Sequence, residues 1–231
     1  MPRRPRHAAG QIVYHVLNRG NLRATLFHKD GDYAAFDKIL RQAHQRTPVD
    51  LFAWCLMPNH WHLVLRPRRG QDLSDFMRWL SVTHTQRWRA HSHTQGQGHL
   101  YQGRYKSFPV QTDGHFLAVC RYVERNAQAA EMVERAQDWR WSSLWARLHP
   151  DAEHLALAAP WPVERPRDWL TIVNRPLRQA QSHQIQECIV RNRPYGEARW
   201  QQETAAKLGL EHTFRERGRP KNKKKNDSRP L

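Results

Sequence analysis

The sequence predicts an α+β fold, in which helices pack on one face of an antiparallel sheet and the other face is free. Three observations predict it: apolar, β-branched runs of strand length, apolar residues at helical spacing between those runs, and turn residues where they join. Along the chain the elements come in the order strand, helix, strand, strand, helix, strand, helix. This order is typical of a ferredoxin-like (RRM-like) sandwich with one additional helix.

The first strand and the first helix have clear boundaries. Residues 11–18 (QIVYHVLN) are apolar and β-branched, and the turn residues Arg19-Gly20-Asn21 follow them. Residues 32–45 carry apolar side chains at three- and four-residue intervals, begin with acidic residues and end before Pro48. We therefore expect a strand, a turn and then a helix in this region.

A hairpin and a second helix come next. Residues 49–56 and 60–66 are strand-like runs separated by Met57-Pro58-Asn59, in which Pro and Asn are typical turn residues. Residues 73–88 return to helical spacing. The pattern predicts an antiparallel hairpin followed by a helix.

The fourth strand is predicted from an aromatic and basic segment. Residues 99–110 (HLYQGRYKSFPV) have Gly103 near their centre and indicate a strand or a bent hairpin. A third helix is expected from Asp113 to about Arg135, and residues 139–148 indicate a short closing helix.

The chain divides into four predicted regions. Residues 1–149 form the ferredoxin-like domain, and the proline-containing residues 150–177 form a linker or an irregular wrap. Residues 178–212 hold two short polar helices, at 178–191 and 197–209. Residues 213–231 are a basic tail of low hydrophobicity, which we expect to be disordered when free.

The charge of the chain points to a polyanionic partner. Lys and Arg number 38 against 21 Asp and Glu, which gives a formal charge of +17 and a pI near 10.7. No apolar stretch approaches the length of a membrane span, so the composition favours nucleic acid over a membrane surface. The ten tryptophans fit base stacking, although Trp also serves as ordinary core. We expect a cytoplasmic nucleic-acid-binding protein with no membrane association.

The three cysteines carry no metal or disulfide pattern. Cys55, Cys120 and Cys188 lie far apart in the sequence and include no CxxC pair. We expect them to be reduced and buried.

Two histidines in the second hairpin strand form a candidate metal site. Strand side chains alternate, so His60 and His62 leave one face while Trp61, Leu63 and Leu65 leave the other. Two imidazoles at this spacing can converge on one divalent ion. Alternatively, they are two polar residues on a solvent face. The pair indicates a catalytic metal site only if the chain also supplies a third ligand and a nucleophile.

The third helix supplies both missing groups. Its buried stripe is expected to contain Phe116, Val119, Cys120, Val123, Ala127 and Ala130. Tyr122 and Asn126 lie together on one flank of this stripe, where the helix meets the sheet. The ordinary interpretation of Tyr122 is an amphipathic edge residue. The chemical one is a phenol that attacks a phosphate beside Mg²⁺ or Mn²⁺ and forms a covalent phosphotyrosine.

With these residues in place, the chain resembles the single-tyrosine HUH transposases, specifically the REP-associated tyrosine transposases. These are bacterial proteins that act on single-stranded palindromic repeats, and HUH means His-hydrophobic-His. The matching stretches run in the family's order between about residues 10 and 145: YHVLNRGN (14–21), MPNHWHLVL (57–65), LYQGRYKSFPV (100–110) and YVERNAQAA (122–130).

The resemblance implies a ferredoxin-like fold that holds one divalent metal through His60 and His62, with Tyr122 as the nucleophile. The family's third ligand is a polar side chain four residues after the tyrosine, which matches Asn126. The family often has Asn-Pro where this chain has Asn126-Ala127. This departure should change how the helix ends rather than the ligand.

Further DNA contacts are expected in two places. The matching stretches contain four candidate phosphate or base contacts, which are His15, Arg19, Arg104 and Lys106. Near the C-terminus, an RGRP segment followed by lysines resembles the short AT-hook core that lies in a minor groove. Its basic residues are Arg217, Arg219, Lys221, Lys223, Lys224 and Lys225. Alternatively, this tail only attracts phosphates without specificity.

Together these features predict a metal-dependent single-stranded DNA endonuclease and strand transferase that acts on hairpin-forming repeats through a 5′-phosphotyrosine intermediate. Its partner would be single-stranded or hairpin DNA, its state monomer or homodimer, and its location the bacterial cytoplasm, associated with the nucleoid. A replication initiator or relaxase is disfavoured because the chain has no P-loop pattern. The alternative from another class is a catalytically silent nucleic-acid-binding regulator that uses the same sheet.

Overall fold

A four-stranded antiparallel sheet forms the centre of the molecule. The computed structural model describes residues 8–94, 96, 98–149 and 153–215. The strands are Val13–Arg19 (β1), Val49–Met57 (β2), His60–Pro67 (β3) and Lys106–Val110 (β4). They are hydrogen-bonded in the order β2-β3-β1-β4, every pair antiparallel. The predicted α+β, ferredoxin-like fold class is confirmed.

The helices follow the predicted order, with two differences: the third is shorter than expected, and α6 lies within the predicted linker 150–177. They are Asp30–Arg46 (α1), Gly70–Ser92 (α2), Gly114–Glu124 (α3), Asn126–Ala129 (α4), Ser143–Leu148 (α5), Trp169–Asn174 (α6), Gln179–Arg191 (α7) and Ala198–Leu208 (α8). The single helix expected over 113–135 is wrong in length. It is broken at Arg125, and Glu131 adopts a positive φ of 56°, which ends helical geometry. Ala130, expected in the buried stripe, is therefore exposed.

Two predicted strand regions differ from expectation: the fourth strand is shorter, and the turn between β2 and β3 is tighter. Within 99–110 only β4 is a regular strand, and Tyr101 before it makes a single bridge to Gly20. The hairpin between β2 and β3 uses the two residues Pro58 and Asn59, with Met57 paired to His60. This tight turn places Asn59 next to the first candidate metal ligand.

Helices α1 and α2 cover one face of the sheet. Trp61, Leu63 and Leu65 of β3 point to this side, and they share a buried cluster with Phe36 of α1 and Phe76 of α2. The apolar residues of both helices recur at helical spacing, so the cluster follows from the sequence pattern.

The second face is also covered, and the expectation of a free face is wrong. Val64 and Phe108 of the sheet share a second buried cluster with Phe116, Val119 and other apolar residues of α3. Helix α7 packs on β4 from the same side. The apolar stripe of α3 has to be buried, and this face of the sheet is where it packs.

The region after residue 149 wraps onto this second face. Trp169 and Val173 of α6 are buried in the second cluster, and the Trp161 indole donates a hydrogen bond to the Phe52 carbonyl at 3.0 Å. Residues 153–177 therefore pack on the core as an irregular wrap, although the division of the chain into separate regions stays a prediction. The basic residues of the tail, from Arg217 onward, lie outside the described residues.

Two further sequence expectations concern thiols and membranes. Cys55, Cys120 and Cys188 are free and buried, as expected. In the described part of the chain no helix has the length and apolar character needed to cross a membrane.

Beside the first buried cluster, hydrogen bonds link Trp61 of β3 to Tyr101 and Tyr101 to His84 of α2. The Trp61 indole donates to the Tyr101 hydroxyl at 3.0 Å, and that hydroxyl lies 2.6 Å from His84 Nδ1. The hydroxyl therefore donates to a neutral His84 ring. Burial lowers the pKa of His84 to about 3, against a small opposing effect of Asp32 on α1.

This network makes the stability of the fold depend on pH. In the unfolded chain His84 takes up a proton near pH 6.5, whereas the folded chain resists protonation until about pH 3. The unfolded state thus binds more protons in this window, and stability is lost as the pH falls below about 6.5. Between pH 7 and pH 5, the free energy of unfolding of the wild type should fall by about 2 kcal/mol more than that of His84→Gln. Urea unfolding at the two pH values measures this difference. Equal losses in both proteins would contradict this role of His84.

Candidate functional site

The two histidines of β3 lie on the face covered by α3. His60 and His62 share this face with Val64, while Trp61 points to the opposite core, as strand alternation predicts. Their ring centroids lie 5.0 Å apart, and His62 is 2% exposed. The solvent-face interpretation is therefore wrong for His62, which is buried, whereas His60 is half-buried.

Each histidine has one ring nitrogen engaged and directs the other into the site. His60 Nδ1 lies 2.6 Å from Asn59 Oδ1, an atom that can only accept, so Nδ1 carries the proton and Nε2 keeps its lone pair. His62 Nδ1 lies 2.8 Å from His15 Nε2. The Asn126 amide nitrogen lies 3.5 Å from His62 Nε2 and can donate to it. His62 Nε2 then keeps its lone pair, and Nδ1 carries the proton. Both rings thus present Nε2 as the available ligand atom.

His15, predicted as a DNA contact, is buried beside the candidate ligand His62. It is 0% exposed and stacks on His62 with ring centroids 5.0 Å apart. Its side chain points to the α3 face of β1, diagonally across from His62 in the strand register. Its burial gives the predicted DNA contact no support, and its contact with His62 Nδ1 orients that candidate ligand.

Tyr122 and Asn126 meet the histidines from the other side. The Tyr122 ring lies 5.9 Å from the His62 ring and 6.3 Å from the His15 ring, edge-on to both. The break at Arg125 separates α3 from α4, yet Asn126 still follows one turn after Tyr122 and approaches both histidines. The structure therefore brings together all four residues that the sequence grouped.

Burial keeps the histidines neutral. It lowers the pKa of His60 to about 4, an effect that the charge of Arg19 strengthens and a hydrogen bond to Asn126 opposes. Burial also places the pKa of His62 well below its usual value, with further lowering from the neighbouring His60, His15 and Arg19. Neutral imidazole is the form that binds metal, so protons compete little with a cation near neutral pH.

The charge of Arg19 acts on three residues of the site, His60, His62 and Tyr122. Arg19 is the last residue of β1 and lies opposite His60 in the strand register. Burial raises the pKa of the Tyr122 phenol, while the charge of Arg19 lowers it. A guanidinium in this position stabilises a phenolate or a phosphate oxygen.

A buried carboxylate fixes the helix that carries Tyr122. Glu124, 0% exposed, accepts hydrogen bonds from the Ser143 hydroxyl and the Trp169 indole, both at 2.7 Å. Burial raises the pKa of Glu124, and these two hydrogen bonds oppose the rise. Because Ser143 and Trp169 follow α3 by many residues, the end of α3 is held by the C-terminal part of the chain.

The C-terminal part also forms one wall of the site. A cavity of about 270 Å³ lies beside Tyr122 and Asn126, and Pro176, Leu177 and Gln186 close its far side. The guanidinium of Arg121 donates to the Pro176 carbonyl at 3.0 Å and holds this segment against α3. Sequence reasoning missed these wall residues, because no local pattern marks a segment that packs on a helix more than fifty positions away.

The other two candidate DNA contacts described by the structure lie on the surface at the sheet edge. Lys106 is exposed at the start of β4, directly opposite Leu17, and so emerges on the face of Tyr122. Arg104 is exposed in the segment before β4. Neither position is tested as a DNA contact, and both stay proposals.

The donor atoms fit a divalent cation. Two imidazole Nε2 atoms and the Asn126 side chain converge, and a turn of the Asn126 amide presents its oxygen in place of its nitrogen. Among the described residues no group of three His, Cys, Asp or Glu side chains is suited to a metal, so the third protein ligand would be this amide. None of the three candidate ligands is anionic, so a bound cation would keep its full charge for a phosphate.

Comparisons with known proteins show the fold and the family of the chain. The structure of a REP-associated tyrosine transposase bound to a REP hairpin matches with 15% identity over 72% of this chain and 96% of that chain, at a TM-score of 0.53, which shows a shared fold. A putative transposase from Deinococcus radiodurans R1 is 20% identical over 58% of this chain and 96% of that chain, at a TM-score of 0.39. Among curated proteins no significant match is found. The family model of IS200-like transposases matches residues 8–126, just over half of the chain, and the chain belongs to this family.

Proposed function

We propose that this transposase is a metal-dependent single-stranded DNA endonuclease and strand transferase with Tyr122 as its nucleophile. The observation that carries the proposal is the convergence of a phenol, two neutral imidazoles and an amide in one partly buried site. Tyrosine is a weak nucleophile at its ordinary pKa of about 10, so it needs a nearby positive charge. Arg19 supplies one such charge, and a cation on His60, His62 and Asn126 would supply the second.

In the proposed reaction, Tyr122 Oη attacks the phosphorus of a DNA phosphodiester, and the bond from phosphorus to the 3′ oxygen breaks. The phenol gives up its proton to water, the departing 3′ oxygen takes up a proton from water, and the products are a 5′-phosphotyrosine and a free 3′ hydroxyl. When bound, Mg²⁺ or Mn²⁺ polarises the phosphate and stabilises charge on its oxygens. The reverse attack by a 3′ hydroxyl rejoins DNA and releases Tyr122, so the same site serves cleavage and transfer.

The proposed substrate is single-stranded DNA that forms a hairpin. Three observations support it: the membership of the IS200-like transposases, a shared fold with a protein bound to a REP hairpin, and the charge of +17. One chain contains Tyr122 and both histidines in contact distance, so a single protomer holds a complete site. This arrangement is compatible with action as a monomer, whereas a homodimer would contain two such sites.

Asn59, whose side-chain oxygen accepts the hydrogen bond from His60 Nδ1, gives a test of the metal proposal. Asn59→Ala removes the oxygen that holds the proton on His60 Nδ1, whereas Asn59→Asp keeps an acceptor there. We expect Asn59→Ala to raise the Mn²⁺ concentration for half-maximal cleavage about 10- to 100-fold, as loss of such a partner does in other metal sites. Asn59→Asp should lie close to the wild type. A metal requirement unchanged in both variants would contradict this orientation of His60.

A cleavage assay tests the proposed function as a whole. Labelled single-stranded hairpin repeats are incubated with the wild type and either Mn²⁺ or a chelator, and the products are separated under denaturing conditions. The proposal requires cleavage with Mn²⁺ and none with chelator. Tight binding without cleavage across several hairpins would favour the catalytically silent nucleic-acid-binding regulator.

A further inference from the structure

The loop after β1 exposes an apolar side chain at the end of the sheet where His60 lies. Leu22, in the loop 20–24, is 90% exposed, the highest value among the large apolar side chains of the described residues. Single exposed leucines are common on protein surfaces, so exposure alone indicates no function. The backbone and the surroundings of this loop distinguish it from an ordinary surface turn.

The backbone at the tip of the loop is strained. Leu22 has a φ of 50° and Arg23 a φ of 62°, so two consecutive residues with side chains lie in the left-handed region that favours glycine. This conformation brings the Cβ atom of each residue too close to the following carbonyl oxygen. Such strain persists only where the surrounding structure fixes the backbone, and it is typical of sites that contact a ligand.

Hydrogen bonds hold the loop from two sides. The Gly20 amide donates to the Asn59 carbonyl and the Asn21 amide to the Leu100 carbonyl, both at 2.8 Å. Gly20 also permits the tight turn, because a Cβ atom at this position would clash with the Ala24 carbonyl oxygen. The tip is therefore held in one conformation, and binding through it loses less conformational entropy than binding through a flexible loop.

The Asn59 side chain joins this loop to the candidate metal site. Its Nδ2 donates to the Arg23 carbonyl at 3.2 Å, and its Oδ1 accepts from His60 Nδ1 at 2.6 Å. Arg19, directly before the loop, acts through its charge on both His60 and Tyr122. DNA with a phosphate at Tyr122 therefore has this loop as a neighbour.

The tip of the loop has the chemistry to contact the end of a base-paired stem. A base pair has a flat face on which an aliphatic side chain can pack, and leucine is among the residues that proteins insert between base steps. The exposed cation of Arg23, next to Leu22, can contact a phosphate at the edge of that pair. The last pair of a stem stacks on another pair on one side alone, so a side chain enters there at a smaller cost than inside the duplex.

From these observations we propose that Leu22 is a wedge that packs on the last base pair of the DNA hairpin and separates it from the next base. The choice of a hairpin as the partner rests on the proposed function. The wedge rests on the exposure of Leu22, on its fixed backbone and on its position beside His60.

Three substitutions at exposed positions test the wedge. Leu22→Ala removes the side chain beyond Cβ, whereas Leu22→Met keeps an apolar side chain of similar reach. Val82→Ala truncates another exposed aliphatic residue, on α2, and serves as the matched control. Both side chains lie largely in solvent, so the variants should fold like the wild type, and thermal melting checks this.

The main readout is the fluorescence of 2-aminopurine, which rises when this base loses a stacking partner. The base is placed in the last pair of the stem or, as a control, in the middle of the stem, with chelator present to prevent metal-dependent cleavage. We expect the wild type, Leu22→Met and Val82→Ala to raise the fluorescence at the last pair alone, and Leu22→Ala to lose this rise. By fluorescence anisotropy, Leu22→Ala should bind the hairpin about 10-fold more weakly, because it buries less apolar area.

Two outcomes would overturn the wedge. In the first, folded Leu22→Ala raises the fluorescence and binds the hairpin like the wild type. In the second, Leu22→Ala turns a dimer into a monomer on light scattering without any effect on DNA, which would place a second copy of the chain on Leu22.

Cleavage of the same hairpins by the wild type with Mn²⁺ separates the wedge from the proposed function. Cleavage without a fluorescence rise at the last pair contradicts the wedge alone. A rise that depends on Leu22, without cleavage, contradicts the function proposed for Tyr122 and supports the wedge.

Discussion

Tyr122→Phe is expected to abolish the covalent protein–DNA adduct while leaving DNA affinity within about twofold of the wild type. The substitution removes only the hydroxyl, and the ring keeps its edge-on contacts with His15 and His62. Loss of the nucleophile in a covalent enzyme costs about 10⁶-fold in rate, so no adduct should be detectable. Denaturing gels measure the adduct, and anisotropy measures the affinity.

Tyr105→Phe is the matched control for this experiment, because it removes a tyrosine hydroxyl on the opposite face of the sheet. It should form the adduct at the wild-type level. Cleavage that persists in Tyr122→Phe would contradict the nucleophilic role of Tyr122 and point to water as the attacking group.

His62→Ala is expected to remove the effect of metal on both activity and stability. In the wild type, Mn²⁺ at about a hundredfold excess over its Kd should stabilise the fold by about 2.7 kcal/mol. For a chain of this size, that corresponds to a rise in Tm of about 5 to 10 °C. The variant keeps only one of the two imidazole ligands, so the rise should vanish together with Mn²⁺-dependent cleavage.

His91→Ala provides the control for non-specific metal binding, since His91 is an exposed histidine of α2. It should show the full rise in Tm. A rise of the wild-type size in His62→Ala would place the metal elsewhere in the chain and contradict the proposed ligand set.

Alternation along one strand was enough to predict the core of the candidate site. The sequence HWHLVL places the two histidines on one face and Trp61, Leu63 and Leu65 on the other, and the structure agrees. The helical spacing of Tyr122 and Asn126 likewise placed both on one flank of the predicted third helix, and they stay together at the site although Asn126 begins α4. Both predictions depend on local geometry alone, which a single sequence contains.

The orienting residues could not be predicted in the same way. The contact between His15 and His62 depends on the register of β1 against β3, and a shift of one residue would turn His15 to the other face. The sequence does place a hydrogen-bonding side chain, Asn59, directly before His60. Only the geometry of the hairpin, however, shows that the Asn59 side chain turns toward the His60 ring.

The covering of the second face was also beyond the sequence pattern. The amphipathic pattern of α3 predicts that its apolar stripe is buried. The pattern does not indicate which face of the sheet the helix covers. The hydrogen bonds of Glu124 to Ser143 and Trp169 join distant parts of the chain, and no periodicity encodes them. The wall of the tyrosine cavity depends on the same long-range packing.

Peptide mapping of the covalent adduct tests the central claim most directly. The wild type is incubated with hairpin DNA and Mn²⁺, digested with a protease and a nuclease, and analysed by tandem mass spectrometry. The account requires a nucleotide joined through its 5′ phosphate to Tyr122, present with Mn²⁺ and absent with chelator. A nucleotide on another residue, or cleaved DNA without any modified peptide, would contradict it.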